Sequence, residues 1–400
     1  MNEKRNIPTL RFPEFDGEWA LKKIGDVATF QRGFDLPSRE RLEGKYPIVS
    51  SSGISGYHKS FKVDPPGIVT GRYGSVGNLF YVTEPFWPLN TSLWVKNFHG
   101  NLLKFLFYSI STINFKKLSD KTGVPGINRN ELHKEKTSLP SLPEQQKIAD
   151  FLTTIDTRLQ QLTQKVALLK AYKKGVMQRI FSQELRFTDE QGKAFPEWEE
   201  KALGEVFNLF RTNSFSRNLL THIDGRIQNI HYGDIHTKFK TCFDLSKAEV
   251  PFLKKEVDVS KIPEESFCQE GDLVIADASE DYEDIGKAIE IVKTNNKKLL
   301  AGLHTILMRE KQERMAPGYK GYMIRSRPVR LQIMKLAAGA KVLGISKSNI
   351  VKVRIPIPSY PEQQKIAAFL RALDQKIDRT QEQLQHTQTY KRGLLQQLFV

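Results

Sequence analysis

The chain has little cysteine: two in 400 residues, Cys242 and Cys268, with no Cys-x-x-Cys spacing and no clustered histidine beside them. That excludes a disulfide-stapled scaffold and a zinc ribbon, and leaves two packing thiols in a reducing compartment. Long hydrophobic runs are missing too, since no stretch approaches the ~18 consecutive apolar residues of a membrane span. The opening MNEKRNIPTLRFPEF lacks the apolar centre of a secretion signal, so a cytoplasmic protein is expected. Acidic residues are in deficit: 45 Asp and Glu stand against 61 Lys and Arg, a net charge of +16. Such an excess points to a polyanionic partner, nucleic acid before an anionic membrane surface.

Catalytic constellations are lacking as well. VDPPG at Val63–Gly67 resembles the [Asp/Asn]-Pro-Pro-aromatic motif of amino-methyltransferases, but Gly67 stands where a ring must stack on a flipped base. GAKVLGIS at Gly339–Ser346 has the two glycines of a phosphate loop, with Ile345 in place of its lysine. Glu43-Gly44-Lys45 with Asp35 loosely fits a nuclease pattern that recurs by accident in any charged chain. None of the eight histidines forms H-E-x-x-H or a serine-hydrolase order. The expectation is a binding protein with no catalytic residue, no metal site and no cofactor of its own.

What the chain does have is a repeat. SLPEQQKIADFL from Ser141 returns as SYPEQQKIAAFL from Ser359, and the match runs without a gap from Gly126–Phe181 onto Gly344–Phe399. More weakly, Phe12-Pro13, Trp19 and Ile24–Val27 resemble Phe195-Pro196, Trp198 and Leu203–Val206. Each half therefore has shared ends and a divergent middle, Trp19 to Pro140 and Trp198 to Pro358. The expected layout is a domain at 1–140, a long helix at 141–182, a second domain at 183–358 and a second long helix at 359–400.

Both copies open Ser-x-x-Glu, the capping box of a helix N-terminus, with proline tolerated in the first turn. Apolar residues then fall at Ile148, Leu152, Ile155, Leu159, Leu162, Val166, Leu169, Val176 and Ile180. Steps of four and three alternate with one position missed, which makes a heptad seam that wants a partner helix. The second copy keeps Ile366, Leu370, Leu373, Ile377, Leu384, Leu394 and Leu398, and puts Thr380 and Thr387 where Leu162 and Leu169 would be. Each helix would run ~57 Å at ~1.5 Å per residue. If the duplication carries a pseudo-twofold, the two helices pair antiparallel, as in a coiled coil. Gly175 and Gly393 either permit a close backbone approach or mark an early helix end.

Both middles read as mixed α and β, an α+β pattern rich in turns. GIVTGRYGSVGNLFYV (Gly67–Val82) alternates strand-like residues with glycines, and GDLVIADASEDYEDIGKAIEIV (Gly271–Val292) looks like its counterpart. YPIVSSSGISGYH (Tyr46–His58) is a strand followed by a Ser/Gly loop. Ahead of each cap lies another matched pair of loops, LSDKTGVPGIN (Leu118–Asn128) and LAAGAKVLGIS (Leu336–Ser346). A shared position with unshared side chains is the pattern of a recognition loop on a common scaffold. A plain connector is the alternative reading.

Two divergent regions, each followed by a helix opening P-E-Q-Q-K-I-A, resemble the specificity subunit of a type I restriction–modification system. Pro143–Leu152, Pro361–Leu370, Gly56–His58 and Gly71–Gly77 carry the resemblance, which covers essentially the whole chain. It implies two target-recognition domains, each reading half of a bipartite double-stranded DNA site. The paired helices would act as a fixed spacer and dock methyltransferase subunits, two of them expected, with restriction and translocase subunits completing the complex. S-adenosylmethionine, ATP and magnesium would belong to those partners. DNA contacts are then expected from Arg72, Tyr73, Ser75, His58, Lys59 and Lys121 in the first domain. In the second they fall to Lys341, Ser346, Lys347, His231 and Tyr232, divided between phosphates and base edges. A stand-alone DNA-binding regulator and a nuclease with an unrecognised site are the rival readings. A membrane-surface binder fits least, because the long helices carry a narrow seam rather than a broad apolar face.

Overall fold

The computed structural model describes residues 6–119, 126–339 and 341–400. The chain divides into two compact units, Met1–Gln164 with Gln381–Val400, and Lys165–Thr380. The division falls inside both long helices, Leu142–Phe181 and Tyr360–Leu398, of 40 and 39 residues.

In the first unit, Ala20–Lys23 and Lys136–Leu139 pair antiparallel and join the two ends of the divergent region. Between them lies a four-stranded antiparallel sheet in the order Thr29–Arg32, Ser92–Asn97, Gly67–Gly71, Leu79–Val82. Tyr46–Ser50 pairs antiparallel with Gly53–His58 and in parallel with Trp87–Pro88. The helix Leu103–Ser111 buries Phe105, Leu106, Tyr108 and Ile110 in a core shared with Phe30, Ile68 and Leu93. Ile148, Leu152 and Ile155 of one long helix, and Leu394 and Leu398 of the other, complete that core. Each such side chain contributes about 1.5–3 kcal/mol of burial.

The second unit is built the same way. Glu199–Ala202 and Arg354–Ile357 pair antiparallel. The sheet order is Phe207–Phe210, Thr305–Glu310, Leu273–Ala276, Ala288–Lys293, with Cys242–Asp244 added in parallel at the edge. Ile227–Ile230 with Lys298–Ala301 takes the part of Tyr46–Ser50 with Trp87–Pro88, again in parallel. The middles differ in sequence yet share strand order, because a strand needs alternation and burial rather than particular side chains.

The repeated Pro-Glu-Gln-Gln does not form the expected capping box. Glu144 is buried and accepts from the Arg11 guanidinium at 2.8 and 2.8 Å and from the Trp19 indole N–H at 3.2 Å. Glu362 likewise accepts from Arg186 at 3.2 and 2.9 Å and from Trp198 at 2.9 Å. A bidentate guanidinium bonds a carboxylate more strongly than a cap N–H does, so the glutamate turns away from its own helix. The next residue completes the clamp. Gln145 donates to Pro140 O at 3.1 Å and accepts from Leu102 N–H at 3.0 Å. Gln363 donates to Pro358 O at 2.8 Å and accepts from Ala316 N–H at 2.9 Å. The arginines also correct the weaker repeat: Leu10-Arg11-Phe12 corresponds to Leu185-Arg186-Phe187, rather than Phe12-Pro13 to Phe195-Pro196. Phe12 meets Phe151 edge-on at 5.7 Å, as Phe187 meets Phe369 at 5.8 Å.

Farther along, Asp156 accepts from the Tyr108 hydroxyl at 2.7 Å and pairs with Lys391. Asp374 accepts from Tyr322 at 2.6 Å and pairs with Lys173 at 2.5 Å. Burial pushes both phenols well above the ordinary tyrosine range, which keeps them donors. Of the seam residues, Ile148, Leu152, Ile155, Leu162, Val166, Ile366, Leu370 and Ile377 are buried, and Leu159, Leu373 and Leu384 half-buried. Thr380 is buried in its seam position and donates to Lys376 O at 2.7 Å, so the polar replacement leaves no orphaned hydroxyl. Gly175 and Gly393 do neither thing expected of them. Both helices run past them, and a Cβ at either would meet nothing within 4 Å.

Replacing Glu362 by alanine strands Arg186 and the Trp198 N–H. Urea unfolding of the full chain should show a loss of about 3 kcal/mol, whereas the exposed Glu382→Ala should cost about 0.5 kcal/mol at most.

Candidate nucleic-acid interface

In the first unit the strand Gly67–Gly71 delivers Arg72 and Tyr73 to a meeting of two loops. Arg72 N–H donates to Thr91 O at 2.9 Å, and Arg72 O accepts from Ile127 N–H at 2.9 Å. Tyr73 bridges to Gly126, where a Cβ would stand 2.9 Å from the Tyr73 ring, so a larger residue there would displace that ring. The structure thus joins the GRYGSVG loop to the loop ahead of the first long helix. The Arg72 guanidinium lies 4.5 Å from the Tyr73 ring centre, and Tyr73 is exposed. Ser75 is half-buried in the turn, and Lys59 is exposed beyond the strand Gly53–His58. Lys121 lies outside the described residues.

His58 is a correction. It is buried, accepts from Leu42 N–H at 3.1 Å through Nδ1, and sets its ring edge-on to Trp87 at 5.3 Å. It holds the strand in place rather than reaching outward. Ile54 and Tyr57 of that strand are exposed, a pattern that simple alternation does not give, since the pairing with Tyr46–Ser50 shifts register between Pro47 and Val49.

The second unit repeats the construction with different side chains. Asp277 N–H donates to His304 O at 3.0 Å, and Asp277 O accepts from Ile345 N–H at 2.9 Å. Ala278–Ser279 pairs antiparallel with Leu343–Gly344. Asp277 therefore occupies the place of Arg72, His304 that of Thr91, and Gly344 that of Gly126. Ser346 caps Lys347–Ile350 by accepting from Asn349 N–H at 3.2 Å, as Asn128 caps Arg129–Lys134 by accepting from Asn130 N–H at 2.8 Å. Lys341, Ser346 and Lys347 are exposed. Lys347, Asp277 and His304 line an open cleft of about 610 Å³ together with Arg211, Lys261 and Ser266.

His231 is the second correction. It is buried and its Nδ1 accepts from Gly233 N–H at 3.1 Å, capping the helix Tyr232–Thr237. Burial, with Arg217 nearby, holds its pKa below the ordinary histidine value, which suits an acceptor nitrogen. Tyr232 stacks on His231 at 4.7 Å and stands edge-on to His304 at 5.3 Å, tying this loop to the cleft. Asp277 and His304 were missed in the sequence. Asp277 is hidden among Glu280, Asp281, Glu283 and Asp284, and only the strand register separates it from that solvated run.

Both cysteines are free, and burial pushes Cys242 up to about 11 and Cys268 higher, as suits packing thiols. Among the described residues no group of three or more His, Cys, Asp or Glu is placed to hold a metal, and no helix is long and apolar enough to cross a membrane.

The model of the family described as type I restriction modification DNA specificity domain matches residues 16–170 and 196–387, once in each repeat. The chain belongs to that family. A specificity subunit is the DNA-recognition component of its system and not a catalyst. This specificity subunit is 25% identical over 415 residues to the type I restriction enzyme MjaVIII specificity subunit of Methanocaldococcus jannaschii, with 96% of this chain and 92% of that protein covered. Its fold is similar to a type I restriction–modification S subunit from M. genitalium, with a TM-score of 0.63 at 17% identity, covering 98% and 99% of the two chains. A chain solved for the complex assembly and conformational transition of the type I R-M system gives a TM-score of 0.56 at 16% identity, covering 95% and 96%.

Two substitutions separate packing from recognition in this specificity subunit. His58→Ala should lower stability by about 1–2 kcal/mol and leave DNA sequence preference unchanged. Tyr73→Ala should weaken DNA binding with little change in the unfolding midpoint. Urea unfolding and competition binding on the same preparations check both.

Proposed function

We propose that residues 1–140 and 183–358 are two readers, each recognising one half of a bipartite duplex site. The observation that carries this reading is one loop-meeting scaffold built twice with different side chains on it, Arg72-Tyr73 in one unit and Asp277-Ala278 in the other. A repeated scaffold with unlike tips suits two unlike half-sites better than one palindrome.

The long helices pair antiparallel along the heptad seam and set the gap between the half-sites. Support comes from the exchanged ion pairs, Asp156 with Lys391 and Asp374 with Lys173, in which each helix offers the same two repeat positions to the other. The helices also dock methyltransferase subunits, and the exposed Leu168, Tyr172 and Tyr390 are apolar positions off the seam suited to such a contact. Restriction and translocase subunits join through that assembly. S-adenosylmethionine, ATP and magnesium act on those partners, and the complex works in the cytoplasm.

The test is to co-express the chain with its methyltransferase subunit in a methylation-free host and map modified adenines. A bipartite motif with a fixed gap is expected, with half-site centres about one helical turn, ~10 bp, apart. Inserting one heptad in each long helix should lengthen the gap by roughly three base pairs, because seven residues rise ~10 Å. Both half-sites should stay the same. A continuous motif would overturn the two-reader reading.

A further inference from the structure

The position occupied by Arg72 in the first unit and Asp277 in the second has opposite charge on identical backbone bonding. In each unit its N–H donates to the strand-edge carbonyl, of Thr91 or His304, at 2.9 or 3.0 Å. In each, its carbonyl accepts from the isoleucine that follows the matched glycine, Ile127 or Ile345, at 2.9 Å. Only the side chain differs. Asp277 also lines a mainly basic cleft, with Arg211, Lys261 and Lys347 and a second carboxylate, Asp258, around the same opening. A carboxylate on a surface that meets a polyanion repels it, and Asp277 has only the His304 ring as an ion partner, which leaves acceptor capacity for a donor on a bound group. The Ser266 hydroxyl, buried and without a partner, lines the cleft as well and could be satisfied by a bound group.

We infer that Asp277, held by His304 Nδ1 at 3.3 Å, selects a cytosine in the half-site read by the second unit. The inference rests on the proposal that this unit contacts one half-site. Chemistry narrows the base. An ionised carboxylate only accepts hydrogen bonds. In the major groove guanine presents N7 and O6 acceptors, thymine an O4 acceptor beside its methyl group, and adenine an N6 donor flanked by the N7 acceptor. Cytosine alone presents an amino donor with no acceptor on its own edge. The three cations of the cleft are left to hold the backbone phosphates, which fixes the register without reading sequence. His304 acts as a positioning residue: it touches the carboxylate, and Tyr232 stands against its ring.

The experiment uses the full chain co-expressed with its methyltransferase subunit, with the modified motif mapped for the wild type and for Asp277→Asn and Asp277→Ala. Asparagine has nearly the same shape and matches adenine N6 and N7, so Asp277→Asn should move one required base from cytosine to adenine and leave the other half-site untouched. Asp277→Ala should lower discrimination at that base by roughly tenfold or more. Motifs unchanged at every base in both variants, or modification lowered evenly at all sites, would overturn the assignment of Asp277. A wild-type motif that is not bipartite would instead overturn the half-site reading beneath it, so the two failures are distinguishable.

Discussion

Each long helix begins at a buried carboxylate, and the placement of everything else in its unit follows from that. Glu144 and Glu362 lie out of water, and an ion in such a place is tolerated only with its partners bonded around it. Arg11 and Trp19 supply them in one unit, Arg186 and Trp198 in the other. Those partners come from the segment that enters the unit, while the adjoining glutamine bonds the strand that leaves it and the loop before an internal helix. Entry, exit and interior are thereby tied to one turn of helix. The apolar seam of each long helix then extends outward from a start fixed by these bonds.

This explains why the most repeated residues sit at the starts of the long helices and not on the exposed loops. Pro-Glu-Gln-Gln is shared because two clamps with the same geometry need the same donors and acceptors. The tips can diverge because the backbone alone makes their loop meetings. Ile127 to Arg72 and Ile345 to Asp277 are main-chain bonds, indifferent to the side chains they carry. The same main-chain bonds form in both units although the exposed side chains beside them differ.

The helices were legible in the sequence because period and length are one-dimensional signals. Seam residues from Ile148 to Ile377 fall where the alternation of four and three puts them. The role of the glutamates was not legible, since Ser-x-x-Glu is also a sound local motif and the competing arginine lies far away in the chain. Nothing local reveals that a bidentate partner will arrive from Arg11. The correspondence of Gly67–Val82 with Gly271–Val292 was legible from the run of strand-like residues and glycines, while the full strand order of the two middles was not. Leu273–Ala276 and Gly67–Gly71 share burial but almost no residue identity, and burial is known only after folding.

The exposed loops were legible by address more than by residue. Arg72, Tyr73, Lys341, Ser346 and Lys347 stand at or beside the loop meetings, because glycines in a strand-like run mark where the chain must turn. The two histidines failed for a common physical reason. An imidazole nitrogen can accept from a backbone N–H, and His58 and His231 are buried with Nδ1 bonded to Leu42 and Gly233 N–H. A lysine has no acceptor to offer a backbone N–H, and Lys59, Lys341 and Lys347 keep their ammonium groups exposed. The same reasoning accounts for Asp277 escaping notice. An acid reads from sequence as repelled by DNA, and only the register that sets it opposite His304, on the backbone position of Arg72, turns the repulsion into a means of choosing among bases.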